Sequence, residues 1–176
     1  KEDIPDYRKA LGHTPKPNTE LGIYVHIPFC RKRCHFCYFR VYTDKDSKEI
    51  RNYIDAVLSE LRLYAKEHFI GGRKPKFVYF GGGTPSYLSE SQLRQLTDGM
   101  KEILPWDEVE EVTFECEPGT LREKKLQVLR DIGVTRLSLG VENFDDHILE
   151  LNGRARHGKE IVRAYEFAQG LGFPQI

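Results

Sequence analysis

Apolar residues along the chain switch between two periods, and the switch recurs. Ile23-Tyr24-Val25-His26-Ile27 alternates as a half-buried strand does. From Ile50 the apolar residues fall on a helical stripe of Ile50, Ile54, Val57, Leu58 and Leu61. Asp46 and Glu49 open it as a capping box, and Gly71-Gly72 stops it. Phe77-Val78-Tyr79-Phe80 reads as a second strand. After it, Ser89 and Gln92 cap a helix that carries Leu93, Leu96, Met100, Ile103 and Leu104 on one face. Val112-Thr113-Phe114-Glu115 is a third strand. Thr120 with Glu123 is expected to cap a third helix through Leu126, Leu129 and Ile132, ended at Gly133. A fourth strand runs from Arg136 to Val141. A short helix then ends near Asn152-Gly153, and a longer one from Lys159 to Gly170 points Ile161, Ala164, Tyr165 and Ala168 inward. Pro174-Gln175-Ile176 reads as the start of a fifth strand.

Strands separated by helices imply right-handed crossovers and a parallel sheet, with ligands at the carboxyl ends of the strands. The expected fold is α/β, a partial parallel (βα) barrel, truncated near the start of the fifth strand. Residues 1–21, rich in Pro and Lys and without periodicity, are expected to form an N-terminal arm, and residues 22–176 the core domain. Every unusual loop falls at a strand's carboxyl end.

Composition narrows the function mainly by exclusion. Lys and Arg number 27 and Asp and Glu 27, so no net field draws in nucleic acid or an anionic membrane. No apolar run approaches the roughly 20 residues of a membrane span, and the polar start does not resemble a secretory signal. A cytoplasmic location is therefore expected, without nucleic acid or membrane as partner, and a small-molecule substrate has to be inferred from a site. The four cysteines are too few for a disulfide-built fold, and three of them crowd into positions 30–37. Cys116, in a β-rich stretch, is expected to be an ordinary buried residue.

The crowded segment is Cys30-Arg31-Lys32-Arg33-Cys34-His35-Phe36-Cys37. Thiolates are soft ligands that suit zinc or iron–sulfur clusters, and structural zinc normally takes four ligands in two separated pairs. No second pair is present, so a zinc reading has to recruit His26 or His35. Three thiols on a four-iron cluster leave one iron without a protein ligand, unlike the four-Cys runs of simple electron carriers. Arg31-Lys32-Arg33 reads either as a solvated face or as a means to balance cluster charge or dock an electron donor.

This spacing after a strand resembles the signature of the radical S-adenosylmethionine (SAM) superfamily. Tyr24-Val25-His26-Ile27-Pro28-Phe29-Cys30, Phe36 before Cys37, and Gly81-Gly82-Gly83-Thr84-Pro85 are similar to the oxygen-independent coproporphyrinogen III oxidase branch. The resemblance covers about residues 22 to 176 and implies a [4Fe–4S] cluster on Cys30, Cys34 and Cys37, with one or two SAM molecules as cosubstrate. It implies that Gly82, Gly83 and Thr84 meet SAM's methionine ammonium group and that Glu115 contacts SAM. It further implies that Arg154 reaches the SAM carboxylate, that Tyr24 contacts ligand, and that Phe36 shields the cluster and flanks adenine. Each has a plainer alternative: a tight turn, a helix-end cation or a core aromatic. Glu117-Pro118 reads as shaping the turn after the third strand. Glu142 stands where the branch usually carries Gln, an acid in place of a neutral amide.

The activity so implied is reductive cleavage of SAM to a 5′-deoxyadenosyl radical that acts on a porphyrin-like or natural-product substrate. The electron comes from an external donor such as flavodoxin or ferredoxin, and the outcome is oxidative decarboxylation or methyl or methylene transfer. The cofactor does the difficult chemistry, and no side chain is singled out as catalytic. Coproporphyrinogen oxidases usually carry another cysteine two residues past the third ligand, where this chain has Phe39. A heme-binding or heme-trafficking protein that keeps the fold, and a ferredoxin-like electron carrier, are the alternatives from other classes.

Overall fold

The computed structural model describes residues 7–154 and 158–176. After a short helix, α1 (Tyr7–Gly12), the strand β1 (Leu21–Ile27) is followed by helix α2 (Ser47–Tyr64). Strand β2 (Pro75–Gly82) leads to α3 (Glu90–Ile103), and β3 (Glu111–Cys116) to α4 (Glu123–Asp131). Strand β4 (Arg136–Leu139) is followed by α5 (Asp146–Leu151) and α6 (Gly158–Gly170). The four strands form one sheet in the order β1-β2-β3-β4, all parallel, and open rather than closed. A parallel bridge from Arg136 to Gln175 begins the next position along it, as the strand pattern at 174–176 predicts.

Side chains alternate across this sheet because successive residues of a strand point to opposite faces. Val25, Ile27, Val78, Phe80, Val112, Phe114 and Leu137 pack beneath the helices in one core. The helices contribute Ile50, Ile54 and Leu58 from α2, Leu93, Leu96 and Met100 from α3, and Leu126 and Leu129 from α4. Both predicted capping boxes at Asp46 and Ser89 form, each with its reciprocal pair of hydrogen bonds. Gly133 takes φ +96°, the left-handed turn that ends α4. Among the described residues no helix is long and apolar enough to cross a membrane.

Several expectations shift. Thr120 does not cap α4: the N-cap is Arg122, without a side-chain cap, while the Thr120 hydroxyl donates to the Glu117 carbonyl at 2.8 Å. The helix α2 ends at Tyr64, and turns carry the chain on to Gly71-Gly72. The strand β4 stops at Leu139, because Val141 and Glu142 turn away and Glu142 adopts φ +63°. Tyr165 is exposed rather than inward. The segment expected to be an aperiodic arm contains α1, and the backbone N–H of Phe69 donates to the Leu11 carbonyl at 2.8 Å.

Candidate functional site

The carboxyl ends of the four strands converge on a cavity of about 330 Å³. Cys30, Cys34, Cys37 and Phe36 of the loop after β1 line it, as do Gly82, Gly83 and Thr84 after β2. Glu115 and Glu117 join from the end of β3, and Gly140, Glu142 and Arg154 from beyond β4. A larger hollow of about 920 Å³ lies between the turn at Pro118–Thr120, α4 and α6. It holds none of the cysteines, so the smaller cavity is the one where the chemistry gathers.

The cysteine loop is fixed at both ends. The Cys30 N–H donates to the Tyr42 carbonyl and the Tyr42 N–H to the Pro28 carbonyl, at 3.0 and 2.8 Å, which closes the loop at its base. Arg33 folds back onto the Cys37 carbonyl through Nε and Nη2, at 3.2 and 2.8 Å. All four cysteines are free thiols. Burial pushes the Cys30 thiol up, with the Thr84 hydroxyl opposing, and burial likewise pushes up Cys34, with the Arg154 charge opposing. Among the described residues no three His, Cys, Asp or Glu side chains converge where they share a single metal ion. The three cysteines instead line the cavity.

The glycine-rich turn owes its composition to close approach. A Cβ on Gly83 would stand 2.9 Å from Cys30 Sγ and 3.0 Å from the Phe29 carbonyl oxygen. Gly82 has φ +118°, where a side chain would also meet the His26 ring. Backbone N–H groups of Gly83 and Thr84 donate to the Ile27 and Phe29 carbonyls at 2.8 and 2.9 Å, and Thr84 Oγ1 donates to Cys30 Sγ at 3.2 Å. The turn is therefore stitched directly to the cysteine loop.

Glu115 faces the inner side of the sheet. Its Oε2 accepts the Gly82 N–H at 3.1 Å and its Oε1 the Tyr79 hydroxyl at 2.8 Å. Burial, then the Glu115 bond and charge, push Tyr79 up to about 12. Tyr24 lies outside the cavity. It stacks on Tyr79 with ring centroids 6.0 Å apart and reaches the His26 Nδ1 at 3.1 Å. Arg154 extends Nη1 to the Gly140 carbonyl at 3.2 Å and Nη2 to Glu142 Oε1 at 2.9 Å. Its Nε is buried with no partner.

The sequence did not single out Ser86, yet it ties two loops of the site together. Its hydroxyl accepts the Glu117 N–H at 3.0 Å and bonds the Thr120 hydroxyl, while its carbonyl accepts Lys125 Nζ at 2.8 Å. Burial lowers Lys125, which nonetheless finds this one carbonyl. Glu117 thus serves the turn, as expected, through its backbone. Cys116 is buried, its thiol donates to the Phe114 carbonyl at 3.5 Å, and burial raises it strongly. Tyr79 was also passed over, although its alternation with Phe77 and Gly81 places it on the inner face. His35, a candidate only for zinc in the sequence, instead meets the Leu151 carbonyl at the end of α5.

A family model described as the radical SAM superfamily matches residues 24–176. The heme chaperone HemW of Bacillus subtilis (strain 168) is 38% identical over 155 residues, 87% of this chain and 40% of its own length. Anaerobic coproporphyrinogen III oxidase 1 of Cereibacter sphaeroides is 33% identical over 149 residues, 85% of this chain and 33% of its own length. The solved coproporphyrinogen III oxidase (HemN) from Escherichia coli, a radical SAM enzyme, matches with a TM-score of 0.84 at 30% identity. That match covers 95% of this chain and 38% of the solved one. The chain thus spans 40% or less of the length of these relatives.

Proposed function

The chain belongs to the radical SAM superfamily, similar in sequence to both oxygen-independent coproporphyrinogen III oxidases and heme chaperones, and from that premise we propose that its cavity binds SAM beside a [4Fe–4S] cluster. Radical SAM proteins use that pair of cofactors. The observation that carries the reading is the gathering of three soft thiols, a glycine cradle and a half-used guanidinium around one cavity.

The residues suit the group by their chemistry. Cys30, Cys34 and Cys37 would hold three irons and leave a fourth open. Gly83 has no room for a side chain against Cys30, so the backbone lies beside the sulfur, and Thr84 donates to it. When bound, the reduced cluster supplies the electron that breaks a C–S bond of the SAM sulfonium.

The rest of the task falls to side chains that bind and orient. Gly82, Gly83 and Thr84 present carbonyls and a hydroxyl to the methionine ammonium group, and Glu115, held by Tyr79 and Gly82, presents a fixed carboxylate. Arg154 offers its guanidinium to the carboxylate, with Glu142 as a standing counter-charge. Phe36, which lines the cavity, would shield the cluster and flank adenine, while Tyr24, outside the cavity, supports Tyr79 by stacking on it. An external one-electron donor of the flavodoxin or ferredoxin kind and a small organic substrate complete the proposed reaction.

Anaerobic reconstitution of the full-length protein tests this. Four irons and four sulfides per chain are expected, and dithionite with SAM should release 5′-deoxyadenosine or a product derived from it. Tetrahedral zinc at the three thiols, or no SAM cleavage by the fully loaded protein, would reject it. Mass spectrometry of the products then separates decarboxylation from methyl or methylene transfer.

Phe39 favours a second reading. It occupies the place of the additional cysteine in coproporphyrinogen oxidases, and among the relatives the heme chaperones reach 38% identity. On this reading the protein traffics heme. A tight stoichiometric heme spectrum without SAM turnover supports it, and the absence of any heme-dependent absorbance removes it.

A further inference from the structure

We propose that His35 latches the cysteine loop to the end of α5 and so positions Arg154, an inference that rests on the reading of this cavity as a SAM site. A helix of six residues is too short to hold itself. The N–H groups of Asn152, Gly153 and Arg154 take the carbonyls of Ile148, Glu150 and Leu149, and the next two, of Leu151 and the C-cap Asn152, are taken by one residue of the cysteine loop. His35 Nδ1 meets the Leu151 carbonyl oxygen at 2.8 Å, and the His35 N–H donates to the Asn152 carbonyl at 3.1 Å. A carbonyl only accepts, so the proton resides on Nδ1.

The next residue makes room for the ring. Gly153 adopts φ +75°, and a Cβ there would stand 3.1 Å from the imidazole. Arg154 follows directly, its N–H bonded to the Leu149 carbonyl at 2.8 Å, so its backbone is part of the turn that His35 grips. On the other side of His35 is Cys34, which lines the same cavity as Arg154. The loop that carries the thiols and the segment that carries the cation are thus joined through a side chain that is neither a thiol nor a lining residue of the cavity. His35 is a positioning residue. It determines where the guanidinium stands, and Glu142 and the Gly140 carbonyl orient its fork.

The test compares the full-length wild type with His35→Ala and His35→Asn, whose amide N–H replaces the Nδ1 donor. Each is measured by iron content, by hydrogen exchange at the Asn152, Gly153 and Arg154 amides, and by calorimetric SAM affinity of the reconstituted protein. We expect His35→Ala to retain wild-type iron, to exchange faster at those three amides and to bind SAM about tenfold more weakly, as loss of the one side-chain hydrogen bond allows. His35→Asn should recover most of the slow exchange and of the affinity. Unchanged exchange and affinity in His35→Ala would overturn the latch, as would iron lost in proportion to SAM binding, since His35 would then serve the cluster alone. A wild type that binds no SAM would reject the SAM site, while exchange in the metal-free variants would still decide whether the latch exists.

Discussion

Along β2, Val78 and Phe80 are sealed beneath the helices, whereas Phe77 between Lys76 and Val78 keeps 46% of its surface exposed and Tyr79 bonds a carboxylate. The same division runs through β3, where Val112 and Phe114 pack in the apolar core and Glu111, Thr113 and Glu115 line the other side, Thr113 buried there with its hydroxyl donated to Glu111. Facing the helices the contacts are apolar. On the inner face they are polar or aromatic: Tyr24 on Tyr79, Tyr79 on Glu115, and Arg136 beside Glu111 at 3.6 Å. One backbone with a period of two separates an apolar face packed under the helices from a polar and aromatic one. Substitutions one position apart should therefore have unlike effects.

The largest effect is expected on the helix side. Phe114 is fully buried in the main core, and Phe114→Ala should cost about 3–5 kcal/mol in chemical denaturation. A loss below about 1 kcal/mol would show that the helices repack easily and that the two faces are not so distinct. Gly83→Ala comes next, because it forces a methyl group against Cys30 Sγ and two carbonyl oxygens. Overpacking of this kind costs roughly 1–3 kcal/mol, and here it should also lower the iron bound per chain. Wild-type iron content in that variant would mean that the turn and the cysteine loop move independently.

Glu115→Gln, one residue from Phe114, sharpens the contrast. It keeps the shape while removing the charge, so unfolding should shift by less than about 1 kcal/mol while SAM affinity falls about tenfold, measured by calorimetry. A stability loss equal to that of Phe114→Ala would break the division between the faces.

Most of the framework was legible because its signals are local. The stripe Ile50, Ile54, Leu58 and the boxes at Asp46 and Ser89 are written within a few residues, and each appears in the fold. Thr120 misled because its spacing to Glu123 suits a capping box, yet the Glu117 carbonyl and Ser86 claim the hydroxyl first. The cysteines and the glycine turn were readable as types of chemistry at strand ends, Glu115 and Arg154 through the family resemblance, and the fold brings them to one cavity. Contacts at long separation were not readable. His35 meets Leu151 across 116 positions and Lys125 meets Ser86 across 39, and no local pattern encodes either.

The inner face should also reveal itself by its titration. Tyr79 is raised from 10.0 to about 12, first by burial and then by its bond to Glu115, where a phenolate would face a carboxylate. A folded-state value above the unfolded one means that the neutral phenol stabilises the fold fully below pH 10. That contribution is lost as pH rises from 10 through about 12. Wild-type stability should therefore fall more steeply across that window than the stability of Tyr79→Phe, which has no proton to lose there. The phenolate absorbance of the folded wild type should likewise contain a late component that the variant lacks. If that component instead appears at the ordinary value, the hydroxyl is solvated, Glu115 is not held by it, and the inner face is looser than its hydrogen bonds indicate.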